Sequence, residues 1–192
     1  MRVSGLLLAA GAGSRMGRPK ALVHDADGRS WLGRSVEVLL AGGCDDVVVV
    51  LGAAAPTART LLPEDLAALA VDVVEAEAWA EGLSASLRAG LTRLGEGDAG
   101  AAVVLLVDLP DLVPDVVARL LPLAAPDTLA RAAYAGEPGH PVVLGREHWV
   151  GVAESAAGDH GARPYLRAHA EQVRLVECAD LATGADQDTP TR

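Results

Sequence analysis

The feature that most constrains the fold is a set of short runs that are apolar throughout. Asp46–Leu51 is nearly all valine, and Ala101–Val107 contains no polar residue. A strand buried on both faces has this composition, whereas a strand with one face in water alternates apolar and polar residues. Longer stretches with helical spacing alternate with these runs, as in Trp31–Leu40 and Leu83–Leu94. The alternation predicts a parallel sheet covered by helices.

The remaining segments extend this pattern and become less regular in the last third. We predict further helices over Thr57–Leu69, Pro114–Leu123, Arg146–Glu154 and Ala162–Ala170. Further strands are predicted over Val3–Ala9, Val71–Val74, Thr128–Tyr134, Pro141–Leu144 and Val173–Val176. One or two of the late strands are expected to run antiparallel at the sheet edge. The predicted fold class is therefore α/β, with a mostly parallel sheet in one domain over residues 1–192.

Composition and charge narrow the function. The chain has 192 residues, of which 51% are hydrophobic, so one domain can bury a full-sized core. The net charge of −10 argues against non-specific binding of nucleic acid or of an anionic membrane. No apolar run approaches the length of a membrane span. Cys44 and Cys178 lack the spacing of a metal or redox motif, which predicts a reducing compartment, the cytoplasm.

A glycine loop follows the first predicted strand. Residues 8–20 read LAAGAGSRMGRPK, and small residues there let backbone N–H groups face an anion closely. Arg15, Arg18 and Lys20 add positive charge, so a polyphosphate is the expected occupant. The Walker pattern is broken around Gly17, and the dinucleotide fingerprint has Met16 where its third glycine belongs. A plain turn is the remaining alternative.

Lys20 is the only lysine among sixteen basic residues. A compact ammonium reaches into a narrow phosphate site as a point charge, where a planar guanidinium fits poorly. This favours a functional role for Lys20, although chance is the alternative explanation. Asp108 is a second candidate, because it stands at the end of an apolar strand, where open parallel sheets bind ligands. One or two such carboxylates commonly suffice to hold Mg²⁺. The alternative for Asp108 is the cap of a helix or turn.

The segment LLLAAGAGSRMGRPKALV resembles the signature of the MobA-like nucleotidyltransferases. Five further blocks agree with the molybdenum cofactor cytidylyltransferase branch in order and spacing: AWAEGLSASLRAGL, LLVDLPDLVP, GHPVVL, GDHGAR and DQDTP. The resemblance implies a Rossmann-like three-layer sandwich of the nucleotide-diphospho-sugar transferase type. It departs from the family pattern at Leu109, where a polar residue or methionine is usual.

The resemblance also implies residue roles. Asp108 and Asp188 would ligate Mg²⁺, with Asp186 as a neighbour. Lys20 and Arg15 would contact the triphosphate, with catalytic roles for both and for Asp108. The nucleotide site would further include Leu8, Ala9, Ala10, Gly11, Gly13, Ser14, Gly82 and Ser84. The acceptor site would include His140, Asp159 and Arg163. Two alternatives remain: Ser84 as the N-cap of a helix, and a local Asp159–Arg163 salt bridge. The three tryptophans are expected in the core or in an interface.

The expected reaction is transfer of CMP from CTP to a phosphate-bearing acceptor such as molybdopterin, with release of pyrophosphate. Ala10 and the Gly82–Ser84 turn resemble the CTP-using branch, whereas the GTP-using branch has L-A-G-G in the first loop. An acceptor phosphate is already largely ionised near neutral pH, so no general base is required. A sugar phosphate or phospholactate is an alternative acceptor. A different alternative is a non-catalytic protein that passes a cofactor to a molybdoenzyme or chaperone partner.

Overall fold

The structure is a computed structural model, which describes residues 1–62, 65, 68 and 70–187. These residues form one sheet with the order β3-β2-β1-β4-β6-β5-β7. Its strands are β1 (Val3–Ala9), β2 (Asp46–Leu51), β3 (Val71–Glu75), β4 (Ala101–Leu106), β5 (Leu129–Tyr134), β6 (Glu137–Gly145) and β7 (Val173–Glu177). The runs of valine and leucine lie at the centre of the sheet, where β1 pairs in parallel with both β2 and β4.

Helices cover both faces of this sheet. They are α1 (Trp31–Ala41), α2 (Ala55–Arg59), α3 (Leu83–Gly95), α4 (Pro114–Leu120), α5 (Trp149–Ser155) and α6 (Arg163–Ala168). Side chains alternate along a strand, so each strand contributes to two separate hydrophobic clusters. Leu7 packs in the cluster that contains residues of α1, α2 and α4, whereas Leu6 packs in the cluster that contains residues of α3, α5 and α6. The predicted three-layer sandwich is confirmed.

The antiparallel strand lies inside the sheet and not at its edge. β6 runs antiparallel to both of its neighbours, β4 and β5, while the edge strand β7 runs parallel to β5. The cause is a two-residue turn, Ala135-Gly136, in which both residues have positive φ angles of 53° and 84°. Such a turn joins adjacent antiparallel strands. Pro138 follows it, and a proline argues against a strand, so the start of β6 was not predicted. β6 consequently begins at Glu137, four residues before the predicted start.

Two predicted helices differ in length from the observed ones. The helix predicted over Thr57–Leu69 is observed as α2, which ends at Arg59; Pro63 and Leu69 lie outside the described residues. The helix predicted over Arg146–Glu154 divides into a 3-10 turn, Arg146–His148, and α5. Within the described residues, no helix is both long and apolar enough to cross a bilayer.

Candidate active site

The parallel pairing of β1, β2 and β4 brings their carboxyl ends to one edge of the sheet. The glycine loop leaves β1 at this edge, and Val107 N–H donates to the carbonyl of Leu8, 3.3 Å away. Asp108 follows directly, so two segments that are far apart in sequence meet beside the loop. This edge is where ligands bind in open parallel sheets.

Gly13 determines the shape of the loop. Its φ angle is 61°, and a Cβ added there would overlap the carbonyl oxygen of Arg18 and lie 3.3 Å from the Lys20 nitrogen. Only glycine allows this close return of the chain. Met16 anchors the loop, because it is buried in the hydrophobic cluster that contains residues of α1, α2 and α4. The loop lies at the surface, since its exposed residues are Gly11, Ala12, Ser14, Arg15, Gly17 and Arg18.

Lys20 and Asp108 meet at the centre of the site. The Lys20 Nζ lies 2.5 Å from Asp108 Oδ2, and the two side chains are only 17% and 13% exposed. Lys20 starts a 3-10 turn, Lys20–Leu22, whose Ala21 is fully buried, so the ammonium group projects from a fixed point. The structure thus brings together the two residues that the sequence singled out separately.

The second carboxylate oxygen of Asp108 lacks a hydrogen-bond donor among the described residues. Asp108 Oδ1 is buried and, within the described part of the chain, has no hydrogen-bond partner. A buried carboxylate oxygen without a donor is costly, and a divalent cation would satisfy it. The cap of a helix is not its role, because α4 begins at Pro114 with Val113 as its N-cap. Among the described residues, no group of three or more His, Cys, Asp or Glu is placed to hold a metal ion.

The C-terminal segment runs along the turn that carries Asp108. Gln187 N–H donates to the Asp108 carbonyl at 2.9 Å. Thr183 donates from both its N–H and its hydroxyl group to Asp111 Oδ2, at 2.6 and 2.5 Å. Asp186 is exposed, and the predicted metal ligand Asp188 lies outside the described residues. The segment that leads to residue 188 therefore reaches the Asp108 backbone.

The predicted base-binding side is built by the ends of β1 and β2 and by Trp79. Ala10 is buried and its carbonyl accepts a hydrogen bond from Ala53 N–H at 2.9 Å. Gly52 lies so close to Trp79 that an added Cβ would be 2.5 Å from the tryptophan Cβ. Trp79 is only partly buried, so it differs from Trp31 and Trp149, which are in the core as expected. Sequence reasoning did not assign Trp79 to the site.

Ser84 has a structural partner and is not an N-cap. The N-cap of α3 is Gly82, with a φ angle of 110°, and Ser84 lies within the first turn. Its side chain is buried, and its oxygen accepts a hydrogen bond from Gly161 N–H at 3.2 Å. Asp159 Oδ1 accepts from Leu83 N–H at 3.3 Å and so satisfies an orphan donor of α3. The capping alternative for Ser84 is therefore wrong.

A cavity of about 90 Å³ opens next to this edge. It lies between one face of the sheet and the helices α3 and α6, on the side of the hydrophobic cluster that contains Leu87 and Leu166. The pairing of β4 with β6 ends beside it, at Val104 and Val142. The cavity brings together all three predicted acceptor residues, His140, Asp159 and Arg163, and adds Arg131 from β5. Its other walls are mainly apolar and include Leu8, Leu83, Leu87, Val104, Leu106, Val142, Leu144 and Leu166.

The cavity is positively charged. Burial, then the charges of Arg131 and Arg163, lower the pKa of His140 to about 4, which keeps the imidazole neutral at pH 7. Burial and the neighbouring Arg163 also lower the pKa of Arg131, whose Nε donates to the Gly139 carbonyl at 3.1 Å. Asp159 accepts from Leu83 N–H and, within the described residues, forms no ion pair with Arg163, so the alternative of a local salt bridge is wrong. Arg131 was missed by sequence reasoning, although it is the one charged residue in an otherwise apolar strand.

Groups away from this edge have structural roles. Cys44 and Cys178 are buried free thiols, and burial raises the pKa of Cys44 to about 12. The ring nitrogens of His148 lie 3.0 Å from the hydroxyl of Tyr165 and 3.0 Å from the carbonyl of Asp127. Neither arrangement competes with the carboxyl edge of the sheet as a reaction centre.

Comparisons with known proteins bear on this site. The chain is 39% identical over 202 residues to nicotine blue oxidoreductase of Paenarthrobacter nicotinovorans, which covers 97% of this chain and 92% of that protein. It is 31% identical over 124 residues to a probable molybdenum cofactor guanylyltransferase of Mycobacterium avium, which covers 65% of this chain and 58% of that protein.

The solved structures include Rv0371c from Mycobacterium tuberculosis, with a TM-score of 0.81 and 29% identity over 98% of this chain and 94% of that chain. A complex of Rv0371c with manganese gives a TM-score of 0.75 and 26% identity over 97% and 94% of the two chains. The family model described as the MobA-like NTP transferase domain matches residues 5–173. The chain, with its carboxyl-edge glycine loop and its Lys20–Asp108 pair, therefore belongs to the MobA-like NTP transferase domain family.

Proposed function

We propose that the protein is a cytoplasmic, Mg²⁺-dependent nucleotidyltransferase that moves CMP from CTP to the phosphate of a small acceptor such as molybdopterin. The observation that carries the proposal is the Lys20–Asp108 pair beside the glycine loop. An ammonium group and a carboxylate with one unsatisfied oxygen provide what a triphosphate and its divalent cation need: a positive charge for the phosphates and an oxygen ligand for the metal. A molybdoenzyme or a chaperone would receive the product.

The reaction follows from the chemistry of the two phosphates. An acceptor phosphate oxygen attacks the α-phosphorus, the bond from that phosphorus to the β-bridging oxygen breaks, and pyrophosphate leaves. Lys20 would stabilise the charge that develops on the transferred phosphoryl group. Arg15 and the backbone of the exposed loop, Gly11 to Ser14, would hold the β- and γ-phosphates. No described residue needs to act as a base, because the attacking oxygen is already ionised.

The residues at the site fit a divalent cation. Asp108 would supply one ligand through its unsatisfied Oδ1, and Asp188 is proposed as the second. When bound, Mg²⁺ would neutralise phosphate oxygens and align the attacking and leaving groups. The Lys20 ammonium group beside Oδ2 keeps the carboxylate oriented in the absence of nucleotide.

We propose CTP as the nucleotide because of the base side of the site. Ala10 packs beneath Gly52, and the Trp79 ring and the Gly82–Ser84 turn would complete a narrow pocket. A site that hydrogen-bonds one base leaves buried groups unpaired with another. Several relatives are named guanylyltransferases, so GTP is the competitor to test. CTP with Mg²⁺ should raise the melting temperature more than equal GTP or ATP. Equal or greater stabilisation by GTP would reverse the base assignment.

The activity itself is tested by pyrophosphate release. Purified protein is incubated with each of the four ribonucleoside triphosphates, Mg²⁺ or Mn²⁺, and molybdopterin, a sugar phosphate or phospholactate. We expect acceptor-dependent pyrophosphate release that is greatest with CTP and that is lost after removal of metal by EDTA. Nucleotide binding without release under every condition would favour the non-catalytic, cofactor-carrying alternative.

A second candidate function is suggested by one observation. The relative that shares 39% identity over 97% of this chain is named as an oxidoreductase and not as a transferase. A planar dye could lie over the apolar mouth of the cavity, beside the glycine loop, while the loop holds the phosphates of a reduced dinucleotide. NADH or NADPH oxidation in the presence of a quinonoid dye tests this candidate. Turnover with a dye, with no pyrophosphate from any triphosphate, would replace the transferase proposal.

A further inference from the structure

We infer that Arg131 and Arg163 together bind the acceptor phosphate inside the cavity, and that Arg131 is the residue that fixes the phosphate position. The inference rests on the proposed nucleotidyl transfer, since it names the group that holds the second substrate of that reaction. Arg131 reaches the cavity from β5 and Arg163 from the start of α6, so the two guanidinium groups approach one space from different elements.

The first support is charge balance. Within the described residues, neither Arg131 nor Arg163 is paired with a carboxylate, in a chain of net charge −10. The comparably enclosed Arg34 shows the usual arrangement, because its NH1 lies 3.0 Å from Asp25 Oδ2. The partly buried Arg131 loses hydration, and the hydrogen bond from its Nε to the Gly139 carbonyl does not neutralise its charge. An anionic ligand would supply the missing partner, and a guanidinium fork matches the oxygens of a phosphate.

The second support is the depth at which each group lies. Arg163 is exposed at the mouth of the cavity, whereas Arg131 and His140 are partly buried further in. His140 is neutral at pH 7, so it can accept or donate a hydrogen bond without adding charge. Asp159, also on the wall, already accepts from Leu83 N–H and faces the start of α3. The positive charge that water screens least is therefore that of Arg131, at the inner end.

The third support is size and wall chemistry. A volume of about 90 Å³ corresponds to roughly three water molecules, which suits a phosphate group but not a whole cofactor. The leucine and valine walls exclude water and so strengthen the attraction between the guanidinium groups and an anion. The acceptor is therefore a phosphomonoester whose phosphate enters the cavity on a short linker, while the rest of the molecule stays at the cavity mouth.

The fourth support is position. Leu106, two residues before Asp108, lines the cavity, and so does Leu8 at the start of the glycine loop. A phosphate held there would lie beside the α-phosphate site that Lys20 and Asp108 define. The competing source of an anion is the triphosphate of the nucleotide itself, which the experiment must separate from the acceptor.

The test is calorimetric titration with methyl phosphate, a phosphomonoester without a body, in the presence and absence of a saturating non-hydrolysable CTP analogue and Mg²⁺. Arg131→Gln and Arg163→Gln should each weaken methyl phosphate binding at least about tenfold. Arg167→Gln is the matched control, because this exposed arginine lies one turn further along α6 and does not line the cavity. Its affinity should stay within twofold of the wild type, and all three variants should bind the CTP analogue normally.

Arg131→Lys is the control for a loss of binding that is caused by misfolding. It keeps the charge and removes the fork, so its affinity for methyl phosphate should fall severalfold while its melting temperature matches the wild type. Wild-type affinity in Arg131→Gln or Arg131→Lys would overturn the inference. Loss of methyl phosphate binding once the CTP analogue is bound would also overturn it, since the cavity would then be occupied by the triphosphate. These titrations need no turnover, so an intact anion site in a protein that releases no pyrophosphate would refute the proposed function alone.

Discussion

The two halves of the site handle positive charge in opposite ways. On the loop side, Lys20 is paired with Asp108, and the exposed Arg15 and Arg18 stand over an open surface. On the cavity side, Arg131 and Arg163 lie among apolar walls without a carboxylate partner within the described residues. A balanced pair can accept both a polyanion and a cation, whereas an unbalanced pair selects an anion alone. The difference separates a metal–triphosphate site from an acceptor phosphate site.

The two halves are also shaped in different ways. Gly13 lets the loop fold back on Arg18 and Lys20, so the loop side is shaped by a positive φ angle. The cavity side is shaped instead by the packing of α3 and α6 over one face of the sheet, next to the point where the pairing of β4 with β6 ends. Substitutions should therefore affect chemistry and loop stability on one side, and anion affinity and acid sensitivity on the other.

The largest expected effect is that of Asp108→Asn. The neutral amide loses the charge that a divalent cation requires, so we expect metal-dependent turnover to fall by at least about 10³-fold with the fold intact. Steady-state pyrophosphate release at saturating Mg²⁺ is the measurement. Asp115→Asn, an exposed position in the first turn of α4, is the control and should be neutral. Asp108→Asn turnover within threefold of the wild type would contradict the assignment.

Lys20→Ala should have the next largest effect. The loss of one donor to developing charge costs about 10²–10³ in rate, so kcat should fall far more than the KM for nucleotide rises. Lys20→Arg should also be impaired, because the planar fork does not replace a compact ammonium group at 2.5 Å from Asp108. An arginine variant with full activity would show that the single lysine has no special role.

Gly13→Ala sharpens the comparison at the level of the backbone. The added Cβ overlaps the Arg18 carbonyl and requires a strained φ angle, so we expect a loss of roughly 1–3 kcal/mol in the free energy of unfolding and weaker nucleotide binding. Gly17→Ala is the matched control: its φ angle is 76°, but nothing lies within 4 Å of the added atom. Urea denaturation of both variants measures the free energy of unfolding. The cost shared by the two is backbone strain, and the extra cost in Gly13→Ala is the overlap with the Arg18 carbonyl. Equal losses would mean that the close return of the loop is unimportant.

The smallest expected effect is the loss of stability that protonation of His140 causes at low pH. The pKa of His140 is about 4 in the folded protein and 6.5 in a free imidazole, so the unfolded chain binds the proton more readily between these values. The neutral imidazole therefore favours folding above pH 6.5, and this contribution decreases as pH falls towards 4. We expect a loss of about 2 kcal/mol between pH 8 and pH 5 from this group. Urea unfolding of the wild type and of His140→Gln at both values measures it, and an equal decline in the two proteins would exclude His140 as the source.

The sequence predicted the centre of the molecule better than its last third. Val3–Ala9 and Asp46–Leu51 were predicted to the residue, because strands buried on both faces leave an unbroken apolar signal. The Ala135-Gly136 turn was not recognised, since alanine rarely adopts a positive φ angle. Lys20 and Asp108 were predicted separately, from the glycine loop, the strand end and the family resemblance, and their contact is seen only in the structure.

Arg131 could not be found in the same way. A charged residue in a strand ordinarily points to solvent, and only the packing of α3 and α6 over this face of the sheet makes Arg131 part of a cavity wall. His140, Asp159 and Arg163 were predicted through the resemblance, and the structure places them together. The contact of Ser84 with Gly161 depends on a long-range packing that local patterns do not contain.

The central claim is that the loop side and the cavity side cooperate in nucleotidyl transfer. Phosphorus NMR of a mixture of the protein, CTP, Mg²⁺ and molybdopterin tests it most directly. We predict that the three CTP resonances decline together while free pyrophosphate and a new diester, the diphosphate that joins CMP to the acceptor, appear. Asp108→Asn and Arg131→Gln should both suppress this diester. Unchanged CTP in the wild-type sample, or pyrophosphate without the diester, would contradict the claim.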